Sequence, residues 1–565
     1  MTAVTHPRLR MLASLLLLLA SATGAAASTV SGRVIDPDRR PVANAEVIVS
    51  GSMPAPIRTR TTFDGTFVVD LPDGRYSLVA STQGLTSDVI DLQLPAAQSI
   101  QVALHVSALS ETMVVTAAQI DQPLSRTPDS VTVIPGALIE ARQQFTIAAA
   151  LRSVPGLTVQ QSGGPGAVTS LFTRGGQSNY TLVMIDGVRA NAFGGGLDLS
   201  QVPVDNVERI EVVRGPQSAL YGSDAIGGVI QVITRSGGAP SARARAEAGS
   251  RVMRRIAGDT TGEMKSVRWQ FGANHWQDAG FTGAAANGQA VSNDDLKESQ
   301  LNASLGWREP SSGADLQATV NYVDTDRGSP GPFGSDPAGR YAGVNRVSRG
   351  LSNRTGGGAR WIQPWFGAGS RIRQRVEFDR ADYDLNFKSA TSTSNNNTRR
   401  THARVQTDIA ASATAGLSAG VEWLGEQGGS TFITTGTAAA KTPVERSVFG
   451  FFGEGRWNAA DRATLTAGIR GERITRAALA GDPLAFTPRP AFPEETITSI
   501  NPKVAGTVLI AGSPSARTWT RARGAFGTGI RPPDAFEIAF TDNSGLKPER
   551  STSGEVGIVQ ALASG

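Results

Sequence analysis

Cysteine is absent from the 565 residues, which removes disulfide scaffolds, thiolate metal sites and thiol nucleophiles together. Histidine is scarce: His6, His105, His275 and His402 stand far apart with no HxxxH or HxxE pairing, so a histidine-built metal enzyme has no ligand set to start from. A strong charge of one sign is missing too. The formal balance is +5, and about +3 once the leader described below is set aside, too little to imply nucleic acid as a partner. No apolar run reaches the roughly 20 residues a spanning helix needs; the longest, Leu12 to Ala20, decays into Ser21, Thr23 and Gly24. Charged residues make up only 18%, against about a quarter in ordinary domains. What is abundant is glycine, 64 residues, about 11% where about 7% is usual. That profile favours a glycine-rich β protein or a membrane β protein. The length exceeds one core, since a domain per roughly 150 residues gives three or four units.

The N-terminus reads as an export signal. Arg8 and Arg10 precede the apolar run, and Ala25-Ala26-Ala27 offers a small-residue cleavage site before Ser28, so residues 1–27 are set apart as a signal peptide. Residues 28–106 then show short β-prone strings between turn signals. Val30 to Ile35 and Ala45 to Val49 flank Asp36-Pro37-Asp38, Phe63-Asp64-Gly65 starts a hairpin, and Leu71-Pro72-Asp73-Gly74 precedes Tyr76 to Ala80, the pattern of a small β-sandwich. Val30-Ser31-Gly32-Arg33-Val34, Pro41 to Ala45, Thr61 to Phe67 and Gly74-Arg75-Tyr76 resemble the carboxypeptidase regulatory-like (transthyretin-like) module. The resemblance carries no catalytic residues and implies a spacer or interaction domain.

Residues 107–128 are a linker with one β-prone string, Glu111 to Ala117. By pattern alone it is the sandwich's last strand, a plain connector, or a tethered strand offered to another protein's sheet edge. From Asp129 to Gly237 the chain reads as a compact mixed unit. Strands are predicted at Val131 to Ile134, Thr181 to Asp186, Val207 to Val213 and Val229 to Thr234, and helices at Ala137 to Arg142 and Thr146 to Val154, the latter stopped by Pro155-Gly156. The continuous apolar strands require a sheet covered on both faces.

This segment resembles the plug domain of TonB-dependent outer-membrane receptors. The strings that carry it are Leu151 to Leu157, Phe172-Thr173-Arg174-Gly175, Val183 to Val188, Val207 to Pro216 and Ala219 to Ile230. The resemblance implies that Thr112, Met113, Val114, Val115, Thr116 and Ala117 are the TonB box, bound by a TonB-type energy transducer in the periplasm. Val114 to Ala117 and the string Tyr221 to Gly228 are most like the cobalamin receptors. Arg174, Gly175, Asp186, Gly187, Arg214, Gly215, Tyr221 and Gly222 form the plug signature. Read from the residues, Arg174, Arg189, Arg209 and Arg214 alternate with Asp186, Glu208 and Glu211 near strand ends, which suits ion pairs between a polar plug and a polar wall; ordinary surface salt bridges on a soluble sheet give the same pattern.

After Gly237-Gly238 the period becomes two. Val267, Trp269, Phe271 and Ala273 oppose Arg268, Gln270, Gly272 and Asn274, and the same holds for the runs from Leu316, Leu417 and Ala463. One apolar face and one short polar face are expected of an antiparallel transmembrane β-barrel with lipid outside; a large soluble sandwich array alternates likewise, and the export signal and plug decide for the barrel. Long polar loops are predicted at Asp324 to Arg340 and Ser389 to Arg400. Gly527 to Pro533, Leu546 to Arg550 and Glu555-Val556-Gly557 match the family's barrel motifs. Residues 238–565 supply about 14 strands at roughly 10 residues each plus connections, whereas the family's barrels have about 22. The expectation is a partial, C-terminally truncated barrel.

The fold class is therefore mainly β: an N-terminal β-sandwich, a mixed α/β plug and a β-barrel. The function expected is import of a scarce bulky ligand (a siderophore, other metal chelate or corrinoid) across the outer membrane of a Gram-negative-type bacterium, with no covalent chemistry and no resident cofactor. By the resemblance, which puts the family's plug apices here, ligand contacts are expected on the loops Gln161 to Val168 and Asn191 to Asp198, chiefly at Gln161, Ser162, Asn191, Phe193 and Asp198; loops with no part in ligand binding are the alternative. Asp324, Asp326 and Asp336 are oxygen donors that a bound calcium could use, or simply solvated loop acids. A barrel-anchored adhesin or scaffold that binds through the sandwich is the competing reading.

Overall fold

The computed structural model describes residues 27–562 apart from 37–38, 52–55, 83–84, 96–98, 107–112, 115–121, 194–195, 203, 281–289, 332–343, 391–392, 432–433, 436, 442, 460–461, 484–487 and 513–517. The leader, residues 1–26, lies outside them.

Eight short strands from Ala27–Ile35 to Ser99–Val106 build the N-terminal unit. Alternation decides what it buries. In Thr66–Pro72 the residues Phe67, Val69 and Leu71 point inward, where they meet Val34, Val47, Leu78 and Val102 in a core of the unit's own.

The plug is a five-stranded sheet in the order Ser130–Pro135, Val207–Arg214, Gly228–Thr234, Thr181–Ile185, Val188–Arg189. Thr181–Ile185 runs parallel to Gly228–Thr234; its five residues are all buried, as a continuous apolar run demands of a strand covered on both faces. The helix Ile147–Leu151 starts where the Thr146 Oγ1 accepts from the Ala149 amide at 3.3 Å, a side-chain N-cap, and its Ile147, Ala150 and Leu151 pack on Ile210, Val212 and Ile230.

Fourteen strands from Ser241–Ala248 to Glu549–Ala561 form one antiparallel sheet in chain order, the number that length predicts. Among the described residues the first and last strands each pair with a single neighbour. The faces divide as the alternation predicts. Phe271, Val320 and Ile469 are 46%, 41% and 55% exposed, while Gln270, Asn321 and Arg470 on the opposite face are 2%, 3% and 1% exposed. Long connections (279–295, 329–348, 431–443, 477–494, 532–548) gather at one end and short ones (265–266, 309–314, 365–371, 411–414) at the other.

Two loop expectations are corrected. The strand Asp315–Gly328 carries Asp324 and Asp326 inside it, so the loop starts later than Asp324. Asn395, Asn396 and Asn397 lie in the strand Thr393–Ala410, paired with Asn386, Leu385 and Asp384. This hairpin continues past the apolar band, where both faces meet water and the alternation that marks a spanning strand no longer applies.

Candidate functional site

The seam between plug and wall is closed by charge. On the plug's hairpin Thr181–Arg189, Asp186-Gly187 makes the turn with φ of 49° and 88° and sets Arg189 at the wall. Arg189 donates to the Tyr221 carbonyl at 2.7 Å and to Glu422 at 3.3 Å. Glu422 also holds Arg470 at 3.0 Å, and Arg470 reaches Glu472 at 2.8 Å. Next to it, Gly222 has φ of 77°, and a Cβ there would sit 2.8 Å from Glu472 Oε1 and 2.9 Å from Arg470 Nη2. Only glycine lets the plug backbone come this close.

Further seams repeat the device. Asp224 pairs with Arg400 at 2.7 Å and Arg446 at 3.5 Å. Burial opposes its charge, but Arg446 and then Arg400 outweigh that and hold its carboxyl below the ordinary value. Lys503 bonds Asp129 at 2.8 Å and Gln217 at 2.7 Å. Arg255 takes Asp205 at 2.7 Å, and Arg327 takes Asp198 at 3.0 Å. Arg174 pairs with Glu555, and the Tyr180 hydroxyl donates to Glu549 at 3.0 Å. Buried charges persist only when paired and hydrogen-bonded, so this seam is specific to one seating of the plug.

The expected plug-to-wall pairing holds for Arg174 and Arg189 and not for the rest. Arg209 bonds Glu208 at 2.6 Å and Glu211 at 2.8 Å inside the plug. Arg214 donates to Thr132 Oγ1 at 2.9 Å and to the Pro155 carbonyl at 2.5 Å, so it ties the plug's edge strand to the loop before Gly156. Gly175 and Gly215 supply the positive φ of the turns around Arg174 and Arg214. Asp186 accepts from the Thr234 amide at 2.8 Å and hydroxyl at 2.9 Å; burial, only partly offset by those bonds, holds its carboxyl above the ordinary range. These residues sit on the sheet's interior or far edge, which alternation cannot tell from the wall-facing side. Asp129, Asp205, Asp224 and Gln217 are the wall contacts that sequence reasoning missed. Each is a polar residue at a turn, and only their partners some 50 to 370 positions away in the chain mark them.

Of the box, Met113–Val114 is an extended pair set antiparallel to Gln122–Pro123, with Val114 opposite Gln122. Thr112, Val115, Thr116 and Ala117 lie outside the described residues.

The five expected ligand residues separate. Gln161 accepts from Arg152 at 3.1 Å, donates to the Gly164 carbonyl at 2.7 Å, and lines a cavity of about 410 Å³ between the plug and the first barrel strands, with Phe145, Thr169, Trp276 and Asp278. Ser162 is exposed. Asn191 is buried and bonds the Val183 amide and the Thr181 carbonyl. Phe193 is 0% exposed, under Arg446 and among Leu479, Phe492, Ala535 and Ile538 of the long connections. Asp198 caps the turn Leu199–Gln201 and accepts from Thr169, Ser200 and Arg327. Asn191 is therefore held within the plug, Phe193 and Asp198 are held against the barrel, and Gln161 and Ser162 keep open surface. Asp326 is engaged by Arg349 at 2.7 Å, and Asp336 lies outside the described residues. Among the described residues no group of three or more His, Asp or Glu is placed to hold a metal ion.

The model of the TonB dependent receptor-like, beta-barrel family matches residues 256–564. The chain belongs to that family. The TonB-dependent Receptor Plug Domain matches 123–229 and the Carboxypeptidase regulatory-like domain 29–107, so this receptor has the three units in the order expected, and its place is the outer membrane of Gram-negative bacteria. Its curated relatives include the vitamin B12 transporter BtuB of Vibrio vulnificus, 49% identical over 127 residues, 22% of this chain and 21% of that protein. The match thus spans about a fifth of the relative's length. Among solved structures, the alcaligin outer-membrane receptor FauA from Bordetella pertussis is 18% identical over 80% of this chain and 70% of its own, with a TM-score of 0.58. The ferripyoverdine receptor of Pseudomonas aeruginosa is 15% identical over 84% and 69%, with a TM-score of 0.59. At those identities the likeness speaks for the fold. The family is one of receptors and transporters rather than enzymes.

Proposed function

We propose that this receptor imports a scarce, bulky metal chelate across the outer membrane, with a corrinoid as the first ligand to test, driven by a TonB-type transducer that pairs with residues 112–117. The observation that carries the reading is the seam: a plug held to the barrel wall largely by ion pairs and hydrogen bonds, with one apolar contact at Phe193 under the long connections. Charged contacts specify one closed seating, and water can replace them when a pulling force opens the plug. The corrinoid is favoured by the local identity to a vitamin B12 transporter. The cavity beside Gln161 and Trp276 offers amide, hydroxyl and aromatic groups, of the kind that orients a ligand without reacting with it. The sandwich packs at the end with the short turns, the periplasmic end of such barrels, which disfavours the adhesin reading.

The test is radiolabelled cyanocobalamin offered to a strain whose own cobalamin receptor is deleted. Wild-type receptor should restore both surface binding and energised uptake. Val114→Pro should keep binding and lose uptake, because proline removes a main-chain donor from the strand given to the transducer. Uptake by Val114→Pro equal to wild type would sink the box assignment, and wild-type cells that neither bind nor accumulate the label would remove the corrinoid.

A further inference from the structure

The sandwich is seated on the rest of the receptor through three of its segments at once. From its strand Ile57–Arg60, the Arg60 guanidinium reaches Glu208 of the plug at 3.2 Å, both side chains about three-quarters buried. Glu208 is the second residue of Val207–Arg214, the strand that pairs with both Ser130–Pro135 and Gly228–Thr234. The neighbouring Arg58 is held by Glu46 at 3.2 Å, and its carbonyl accepts from Arg308 at 3.5 Å, at the periplasmic end of a barrel strand. From the turn before Glu46, Asn44 lies against Gly238, the joint between plug and barrel, so closely that a Cβ on Gly238 would overlap Asn44 Oδ1. From the end of Thr66–Pro72, Pro72 touches Gly369 in the short turn 365–371; a Cβ on Gly369 would be 2.6 Å from Pro72 Cγ and 3.5 Å from Pro72 Cβ.

Met113–Val114 lies in chain between the sandwich's last strand, Ser99–Val106, and the plug's first turn, Leu124–Arg126. A pull on that segment is therefore shared between a domain clamped to the barrel's fixed periplasmic turns and the plug to be moved. From this arrangement we infer that the sandwich is a latch on the periplasmic mouth of the plug, closed by the Arg60–Glu208 contact, and that force on the box must release it before the plug strand Val207–Arg214 can move. The inference rests on the importer reading for the source of the force, while the closed latch itself needs neither ligand nor transducer.

The chain has no cysteine, so Pro72→Cys/Gly369→Cys contains a single designed pair. Its Cβ separation of 3.5 Å falls at the short end of the disulfide range, about 3.5 to 4.5 Å. In isolated outer membranes with no ligand added, mild oxidation should cross-link most molecules. Adding Arg60→Glu should slow cross-linking at least tenfold, and Arg60→Glu with Glu208→Arg should restore it. The latch is read by hydrogen exchange on the otherwise wild-type receptor. Arg60→Glu should speed exchange at residues 207–209 at least tenfold, and the charge swap should return it to the wild-type rate. Absence of the cross-link, or cross-linking indifferent to Arg60→Glu, overturns the docking. Exchange at 207–209 unchanged in Arg60→Glu overturns the latch. Neither readout uses cyanocobalamin, so loss of the corrinoid reading leaves this test intact.

Discussion

A single carboxylate, Glu422, shows how much of the seam rests on individual residues. It lies within 4 Å of four cationic or potentially cationic groups: Arg470 at 3.0 Å, Arg189 at 3.3 Å, His402 at 3.6 Å and Arg404 at 3.8 Å. Removing one partner from a buried charge cluster strands the others and costs about 3 to 5 kcal/mol. Glu422→Ala should therefore lower the midpoint of heat modification in gels clearly, whereas Arg33→Ala, which breaks an exposed pair with Asp64, should leave it unchanged. Equal midpoints for the two would contradict the seam. Asp224 carries a pH prediction. Its folded pKa lies below the ordinary 3.8, so its contribution is fully present above about 3.8 and is lost as pH falls through that value towards the folded one. Acidification to about pH 3 should loosen the plug, read as protease access at residues 223–226, and Asp224→Asn should abolish that part of the pH dependence. Loosening of the same size in Asp224→Asn would refute it.

At the scale of elements, period-two alternation does most of the work, and its meaning differs by side. In Asp315–Gly328, Val320 faces lipid and Thr319 the lumen, where its cross-strand neighbours are Ser304 and Gly358. Arg at a lipid-facing midplane site costs roughly 2 to 4 kcal/mol, while the lumen side already carries arginines. Val320→Arg should assemble poorly and Thr319→Arg nearly normally, measured as the heat-modifiable fraction in outer membranes; equal yields would reverse the faces. The same alternation explains the error at 395–397. Above the apolar band a strand meets water on both faces, so three consecutive asparagines read as loop although their backbones stay in the ladder.

For the whole molecule, the three units differ in what holds them. The sandwich closes around Val34, Leu71, Leu78 and Val102, and the plug around Ile147, Leu151, Ile210 and Ile230, with no residue shared between the two cores among the described residues. Residues 28–106 expressed alone should therefore give one cooperative thermal transition by circular dichroism; a non-cooperative melt would mean that the sandwich depends on its seat. Apart from the apolar contact of Phe193 under the long connections, the contacts named between units are charged or glycine-lined, which keeps them separable. The import proposed above needs that separability.

Read alone, the sequence determines the order of the units, because each part of the argument is local: turn residues at short spacing, an apolar strand such as Thr181–Ile185 that must be covered twice, and alternation that assigns Val320 and Asn321 to opposite faces. It also marks Arg174 and Arg189 as charges needing partners. Which charges those are, Glu555 and Glu422, was decided only in three dimensions, as was the use of Arg209, Arg214, Asp186 and Asn191 within the plug and of Phe193 against the long connections. The reason is physical. Burial and alternation are properties of neighbours in the chain, whereas an ion pair between Asp224 and Arg400, or between Arg60 and Glu208, joins residues about 150 or more positions apart, and nothing in the local pattern of either partner fixes the distance between them.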